Sequence, residues 1–332
     1  MDYDVLIAGG GTSGAYAAFL LAGAGLRVVV AEKRMDAGSP PSGMCLIEED
    51  FAKKYLGKWT EKSVAIHHTL EIQAFSENFT LNLKDSNGIM QFSREKLDRN
   101  ILASAGNKGA DILIRSELTS YRSENNEIKA VLKTEGKEKA ITAKYMIVAT
   151  GGEYIDTALH SDDCRITYFN GILNRGFASQ KMEDRLKLKI EENSIIVESS
   201  NERFWEDAII TKSDHIEPLK KNERGIKPSA VINYKKKLHT CVPRMSQNVL
   251  PVGESAGLFG ENTSFGIHMT LESSAMASSL IEKGITGEED YQNYVSEIDK
   301  IKESVKSIPS QNMVLNGEVS AIEKIVACLR KR

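Results

Sequence analysis

The chain lacks cysteines at metal-binding spacing: Cys45, Cys164, Cys241 and Cys328 are scattered, with no C-x-x-C and no His–Cys cluster. That argues against a cysteine-held structural metal and fits a reduced, cytoplasmic setting. It also lacks an excess of one charge. With 43 basic and 46 acidic residues interspersed and a net charge of -3, there is no global basic field, so nucleic acid is not an expected partner. No apolar run approaches the roughly 18 residues of a membrane-crossing helix, which leaves room only for peripheral membrane contact. The opening MDYDVLIAGGG has no basic segment and reaches its glycines too early for a secretory signal. What is present is a 332-residue chain, long enough for two lobes with a substantial core.

Residues 3–8, YDVLIA, read as a buried parallel strand. A glycine turn, a small-residue helix from about Ser13 to Gly25 and a second apolar strand, LRVVVAEK, complete a βαβ unit. Residues 34–48, rich in Gly, Pro and Ser, read as a loop that closes over a ligand. From Val64 to Phe92 apolar and polar residues alternate, with a turn signal at Asn87-Gly88, as in an antiparallel sheet. Ser93 is placed to cap a helix running to about Asn107. Strand patterns fill 111–148 and recur through 165–240. They sharpen at NVLPVGESAGLFG, before a helix from about Ile267 to Lys283 and a helical end tipped by LRKR.

GGGTSG, between the first strand and helix, places Gly9, Gly11 and Gly14 at G-x-G-x-x-G spacing. The three glycines serve a tight turn, close approach of a pyrophosphate and close packing of helix on strand. The helix N-terminus at Thr12 and Ser13 offers unpaired N–H groups to the phosphates. Glu32 ends the next strand, where a carboxylate accepts hydrogen bonds from a ribose with free hydroxyls and disfavours NADP. Two more glycine-marked strand ends follow, IVATGG with Thr150 and Gly151, and VGESAG. NAD needs only the first of these, so FAD is the expected cofactor.

In FSREKLDRNILASAGNKGADI, IVATGG and NVLPVGESAGLFGENTSFGIH, taken in that order, the chain resembles the geranylgeranyl reductase family, within the class that includes hydroxylases resembling para-hydroxybenzoate hydroxylase. The resemblance covers the FAD-binding stretches, about half the chain. It implies that Arg94, opening the R-x-x-L-D helix, touches the cofactor. It maps the ribityl-holding G-D-A-A-G motif onto Gly253–Gly257, with Glu254 in place of Asp, and the following turn onto Thr263–Gly266. The helix starting at Ile267 then aims its N–H groups at the flavin, stabilising the charge of its reduced form. Lys33, Leu118, Gly257 and Gly266 are assigned to the cofactor site with these residues.

The implied fold is α/β. A Rossmann-type FAD-binding domain is assembled from 1–60, 93–160 and 241–285, an antiparallel β-rich substrate domain from 61–92 and 161–240, and a helical end from 286–332. The resemblance implies an FAD-dependent oxidoreductase that reduces carbon–carbon double bonds of an isoprenoid or other apolar substrate by hydride transfer from reduced flavin. The electron donor is left open. Monooxygenation or dehydrogenation of a small hydrophobic compound, and non-catalytic FAD binding, are the alternatives. The sequence departs from the family in three places. No Y-x-W-x-F-P segment is found, Tyr168-Phe169 and Phe204-Trp205 being the nearest candidates. GMCLIEE keeps only Cys45 of the family's cysteine loop, and the hydroxylases' Asp-Gly pair is replaced by Thr150-Gly151. Cys45 and His268 are the candidate catalytic residues. His67-His68 show no carboxylate partner, so no metal is assigned.

Overall fold

The computed structural model describes residues 1–39, 44–74, 77–83, 88–152, 166–177, 182–191, 194–212, 228–240, 243, 245–260, 266–285 and 287–306. The chain opens with β1 (Tyr3–Ala8), α1 (Thr12–Gly23) and β2 (Val28–Glu32). Next come β3 (Cys45–Glu48), α2 (Glu49–Leu56), β4 (Ala65–His67), β5 (Thr69–Ala74), β6 (Glu77–Asn82), β7 (Ile89–Phe92) and α3 (Arg94–Asn107). The strands β8 (Asp111–Ile114), β9 (Ser116–Glu124), β10 (Glu127–Thr134) and β11 (Lys137–Val148) lead to β12 (Ile166–Phe177). After them are β13 (Arg185–Ile190), β14 (Ser194–Ser200), β15 (Phe204–Lys212), β16 (Ala230–His239), β17 (Val249–Pro251), α4 (Ile267–Lys283) and α5 (Glu288–Lys306).

These strands form three sheets. The first runs β8-β2-β1-β11-β10-β9, with β17 added to β11. Its centre is parallel: β1 pairs with β2 and β11, and β11 with β17. Val5, Leu6, Ile7, Val29, Val30, Met146 and Ile147 are fully buried there, as befits strands covered on both faces. The three glycine-marked strand ends therefore lie side by side, after Ala8, Val148 and Pro251. Helices α1, α3 and α4 pack together beside this sheet, and their apolar faces join its core.

The second sheet, β16-β12-β15-β14-β13-β5-β6, is largely antiparallel, with β13 and β5 parallel. One face carries Leu70, Ile72, Leu173, Leu188, Val197 and Tyr234, packed on Met44, Leu46 and Ile89. The third sheet, β3-β7-β4, is small, and β5 and β6 of the second sheet fall between its β4 and β7 along the chain. The alternating stretch 64–92 is thus divided: β4 and β7 pair with β3, while β5 and β6 join the large sheet. The expected loop 34–48 is also partly strand, because Cys45–Glu48 pairs in register with Ile89–Phe92. Asn87 of the expected turn lies outside the described residues.

A buried polar cluster joins these sheets. Gln91 donates to Glu206 Oε2 at 2.7 Å, and Arg175 Nη1 reaches Glu95 Oε1 at 2.9 Å. Arg175 Nε lies 3.6 Å from Glu206 Oε1. His67, expected to lack a carboxylate, has Asp184 Oδ1 2.9 Å from its Nδ1. Burial pushes the Glu206 carboxyl up to about 7 from an ordinary 4.5, with Arg175 and Gln91 pulling the other way. Folding therefore favours the protonated form. That contribution is complete below pH 4.5, is lost as pH rises towards 7, and amounts to about 3 kcal/mol. Urea midpoints between pH 5 and 8 are expected to fall with rising pH, and Glu206→Gln to flatten that slope. An unchanged slope in the variant would place the titration elsewhere.

Candidate functional site

The C-terminal ends of β1, β11 and β17 open into a cavity of about 1220 Å³, walled on the opposite side by β12 and β16. Each strand end contributes for a separate reason. Gly9 has φ +106°, and a Cβ there would stand 2.3 Å from the Ala149 carbonyl oxygen. A Cβ on Gly14 would stand 1.9 Å from the Gly9 carbonyl oxygen, so α1 lies against its own strand as closely as backbone allows. Gly11 differs: nothing lies within 4 Å of its Cβ position, which opens on the cavity. Two positions pack backbone, and one leaves room for a ligand.

Two helix N-termini face this space. Neither α1, after Gly11, nor α4, after Gly266, has a side-chain cap, and Gly11, Thr12, Ser13, Gly266 and Ile267 line the cavity. Uncapped amide N–H groups carry partial positive charge and donate to anionic or carbonyl oxygens. Glu32, only 7 % exposed, takes Gly10 N–H at 2.7 Å on Oε2 and Arg34 N–H at 2.7 Å on Oε1. Both bonds fix the carboxylate while leaving lone pairs for hydroxyl donors.

Arg94 lines the cavity from the first turn of α3, its Nε 3.1 Å from Asp98 Oδ2. Asp98 is buried and also accepts the Thr12 hydroxyl, tying α3 to α1. Burial pushes the Asp98 carboxyl up, and Arg94 and Thr12 draw it back only in part. Ser93 precedes α3 as expected, but its hydroxyl donates to Glu95 at 3.2 Å and caps no backbone group. Glu254 holds the turn after β17, with Lys236 Nζ 2.7 Å from its Oε1. Burial opposes its charge, yet Lys236, Arg94 and His239 hold the carboxyl below its ordinary range.

Lys33, Leu118, Thr150, Gly151 and Glu254 also line the cavity. Gly14, Gly253 and Gly257 do not; the last two have φ of +57° and +70° and shape the turn carrying Glu254. Thr263–Phe265 lie outside the described residues.

The two catalytic candidates part company. Cys45 lines the cavity from β3, and burial pushes its thiol up to about 12, Arg94 offsetting this only partly. It sits on a strand, not in the expected loop, and keeps its proton. Peptide mapping after iodoacetamide at pH 8 is expected to label Cys45 at about one-tenth or less of the rate in unfolded protein. Equal rates would contradict the burial. His268 does not line the cavity: its ring pairs with Glu48 and lies tilted against Phe51, centroids 4.4 Å apart, on the side of α4 turned to α2.

The sequence reading missed the wall opposite. Tyr168 and Phe169 line the cavity, but Phe204-Trp205 does not. The principal wall strand is β16, which borders the cavity from Asn233 to His239, with Tyr234, Lys236 and Leu238 more covered than the residues between them. Tyr234 lies across Gly171, where a Cβ would stand 1.9 Å from the ring. The signal was the spacing of Tyr234 and Leu238, hidden by three lysines between them.

Residues 2–155 match the family described as FAD binding domain. A crystal structure of aklavinone-11 hydroxylase with FAD and aklavinone superposes over 96% of this chain and 72% of its own, with a TM-score of 0.73 and 16% identity. The protein is an FAD-dependent oxidoreductase. Digeranylgeranylglycerophospholipid reductase 2 of Methanosphaera stadtmanae is 21% identical to this flavoprotein over 90% of its chain and 84% of the relative's. A geranylgeranyl bacteriochlorophyll reductase-like protein of Thermoplasma acidophilum shares its fold at a TM-score of 0.73 and 19% identity, covering 91% and 83% of the two chains. Other archaeal relatives of the reductase name match the flavoprotein over about half its length or less, for example 46% of this chain and 39% of theirs. Flavin-dependent halogenases share the fold too. No described helix is long and apolar enough to cross a membrane.

Proposed function

We propose that this oxidoreductase reduces carbon–carbon double bonds of an isoprenoid or similar apolar substrate, with FAD held along the strand ends of the first sheet. The observation that carries the reading is the cavity's composition: a polar, glycine-lined side meets a wall in which Met44, Leu46, Phe169, Tyr234 and Leu238 supply apolar surface beside the lysines of β16. The likeness to archaeal geranylgeranyl-type reductases supports it. In this assignment the pyrophosphate rests on Gly9, Gly11, Thr12 and Ser13, and Glu32 accepts the ribose hydroxyls. Lys33, Arg94, Leu118, Thr150 and Gly151 flank the cofactor, and Glu254 faces the ribityl chain. Gly266 and Ile267 present the α4 amide groups to the flavin. Gly14, Gly253 and Gly257 set the backbone.

Bound FAD, once reduced, supplies the hydride. The protein's share is binding, orientation and exclusion of water. The apolar wall removes the substrate from water, and the two helix termini stabilise negative charge on the cofactor side. Cys45 Sγ holds a proton in the cavity throughout the physiological pH range. Its neighbour Arg94 supplies fixed positive charge.

The test is anaerobic. Photoreduced protein mixed with a geranylgeranyl glycerophospholipid is expected to show flavin reoxidation together with saturated product, and no reoxidation with the fully saturated lipid. Cys45→Ala is expected to keep its flavin and slow the reaction. If neither reoxidation nor saturated product arises with any prenyl compound, the reading fails.

A further inference from the structure

Three consecutive lysines, Lys235, Lys236 and Lys237, lie on β16, and all three border the cavity. Lys236 is the most covered of the three: its side chain retains 10 % exposure, whereas Lys235 and Lys237 are exposed. Its ammonium lies 2.7 Å from Glu254 Oε1, an acid on the opposite side of the cavity, in the turn after β17. Backbone proximity fixes the approach: a Cβ on Gly152 would stand 1.9 Å from the Lys237 carbonyl oxygen, so β16 lies hard against the end of β11. Ordering and desolvating a lysine is costly unless a charge partner compensates. Here the partner is Glu254, a carboxylate that also feels Arg94 and His239.

We propose that Lys236 is a positioning residue that neutralises and orients Glu254, and thereby sets the reduction potential of the flavin from the substrate side of the cavity. The inference rests on the reading that Glu254 stands beside the cofactor. An uncompensated carboxylate there would repel the negative charge that two-electron reduction places on the isoalloxazine. With Lys236 in place, the pair presents no net charge.

The experiment is a reversal cycle read as flavin midpoint potential and as FAD affinity of the apoprotein. Lys236→Met is expected to lower the potential and weaken FAD binding about tenfold, and Lys236→Arg to keep the potential near that of the parent. Glu254→Gln, leaving Lys236 uncompensated, is expected to raise the potential while also weakening FAD, and the double variant to return close to the parent potential. Should Lys236→Met not fold, the sign of the Glu254→Gln shift decides: a potential that falls or stays put overturns the proposal. If Glu254→Gln leaves FAD affinity unaltered, the placement of Glu254 beside the cofactor is wrong. If it weakens FAD but the potential of Lys236→Met equals the parent's, that placement stands and the role of Lys236 is overturned.

Discussion

Gly14→Ala is expected to cost about 3–5 kcal/mol of folding stability and to yield protein without flavin. Its Cβ has no tolerable position, 1.9 Å from a backbone oxygen and 3.0 Å from the carbonyl carbon behind it. Relief requires moving α1 off β1, and α1 also carries contacts to α3 and α4. Gly11→Ala provides the contrast. It meets nothing within 4 Å, so the urea midpoint of the apoprotein should change by less than about 1 kcal/mol in free-energy terms. FAD binding should nevertheless fall, because the methyl group occupies space proposed for the pyrophosphate. Apoprotein unfolding and FAD titration of both variants separate the cases. Equal destabilisation by the two substitutions would show that the turn is closed against itself, not open to a ligand.

The second large effect is expected at Asp98. It is 2 % exposed, receives the Thr12 hydroxyl and faces the Arg94 guanidinium. Asp98→Ala strips a buried charge of its partner and leaves a donor on α1 unsatisfied, at a cost of about 3 kcal/mol. The lower end of the range for broken buried pairs applies, since Arg94 keeps 26 % exposure and is partly solvated. Asp98→Asn preserves shape and one acceptor and should recover part of the loss. Chemical denaturation of the apoproteins measures both. A cost of under about 0.5 kcal/mol for the alanine variant would mean that α1 and α3 are held by their apolar contacts alone.

The sequence was legible where glycine chemistry and burial coincide. Val5 to Ala8, Val28 to Glu32 and Tyr145 to Val148 could only be strands covered on both faces, and the glycines after them marked one shared edge. Helix α3 ran from Arg94 to Asn107 as expected because Leu97, Ile101 and Leu102 sit on one buried face. Short pairings were harder to see. Cys45–Glu48 lies in a stretch whose Gly and Pro suggest loop, and only pairing with distant Ile89–Phe92 makes it a strand. The His67–Asp184 and Lys236–Glu254 pairs depend on sheet register, which spacing along the chain does not reveal. His268 shows the converse limit. It follows Gly266 at the start of α4, but one residue of helical rotation decides whether a side chain faces the cavity or α2.

The most direct measurement compares apoprotein affinity for FAD with that for FMN. A grip on the adenosine and pyrophosphate by Gly11, the α1 terminus and Glu32 predicts one FAD per chain, bound at least about 100-fold tighter than FMN. Equal affinity for the two, or no uptake of FAD, would contradict the assignment of these strand ends to the dinucleotide.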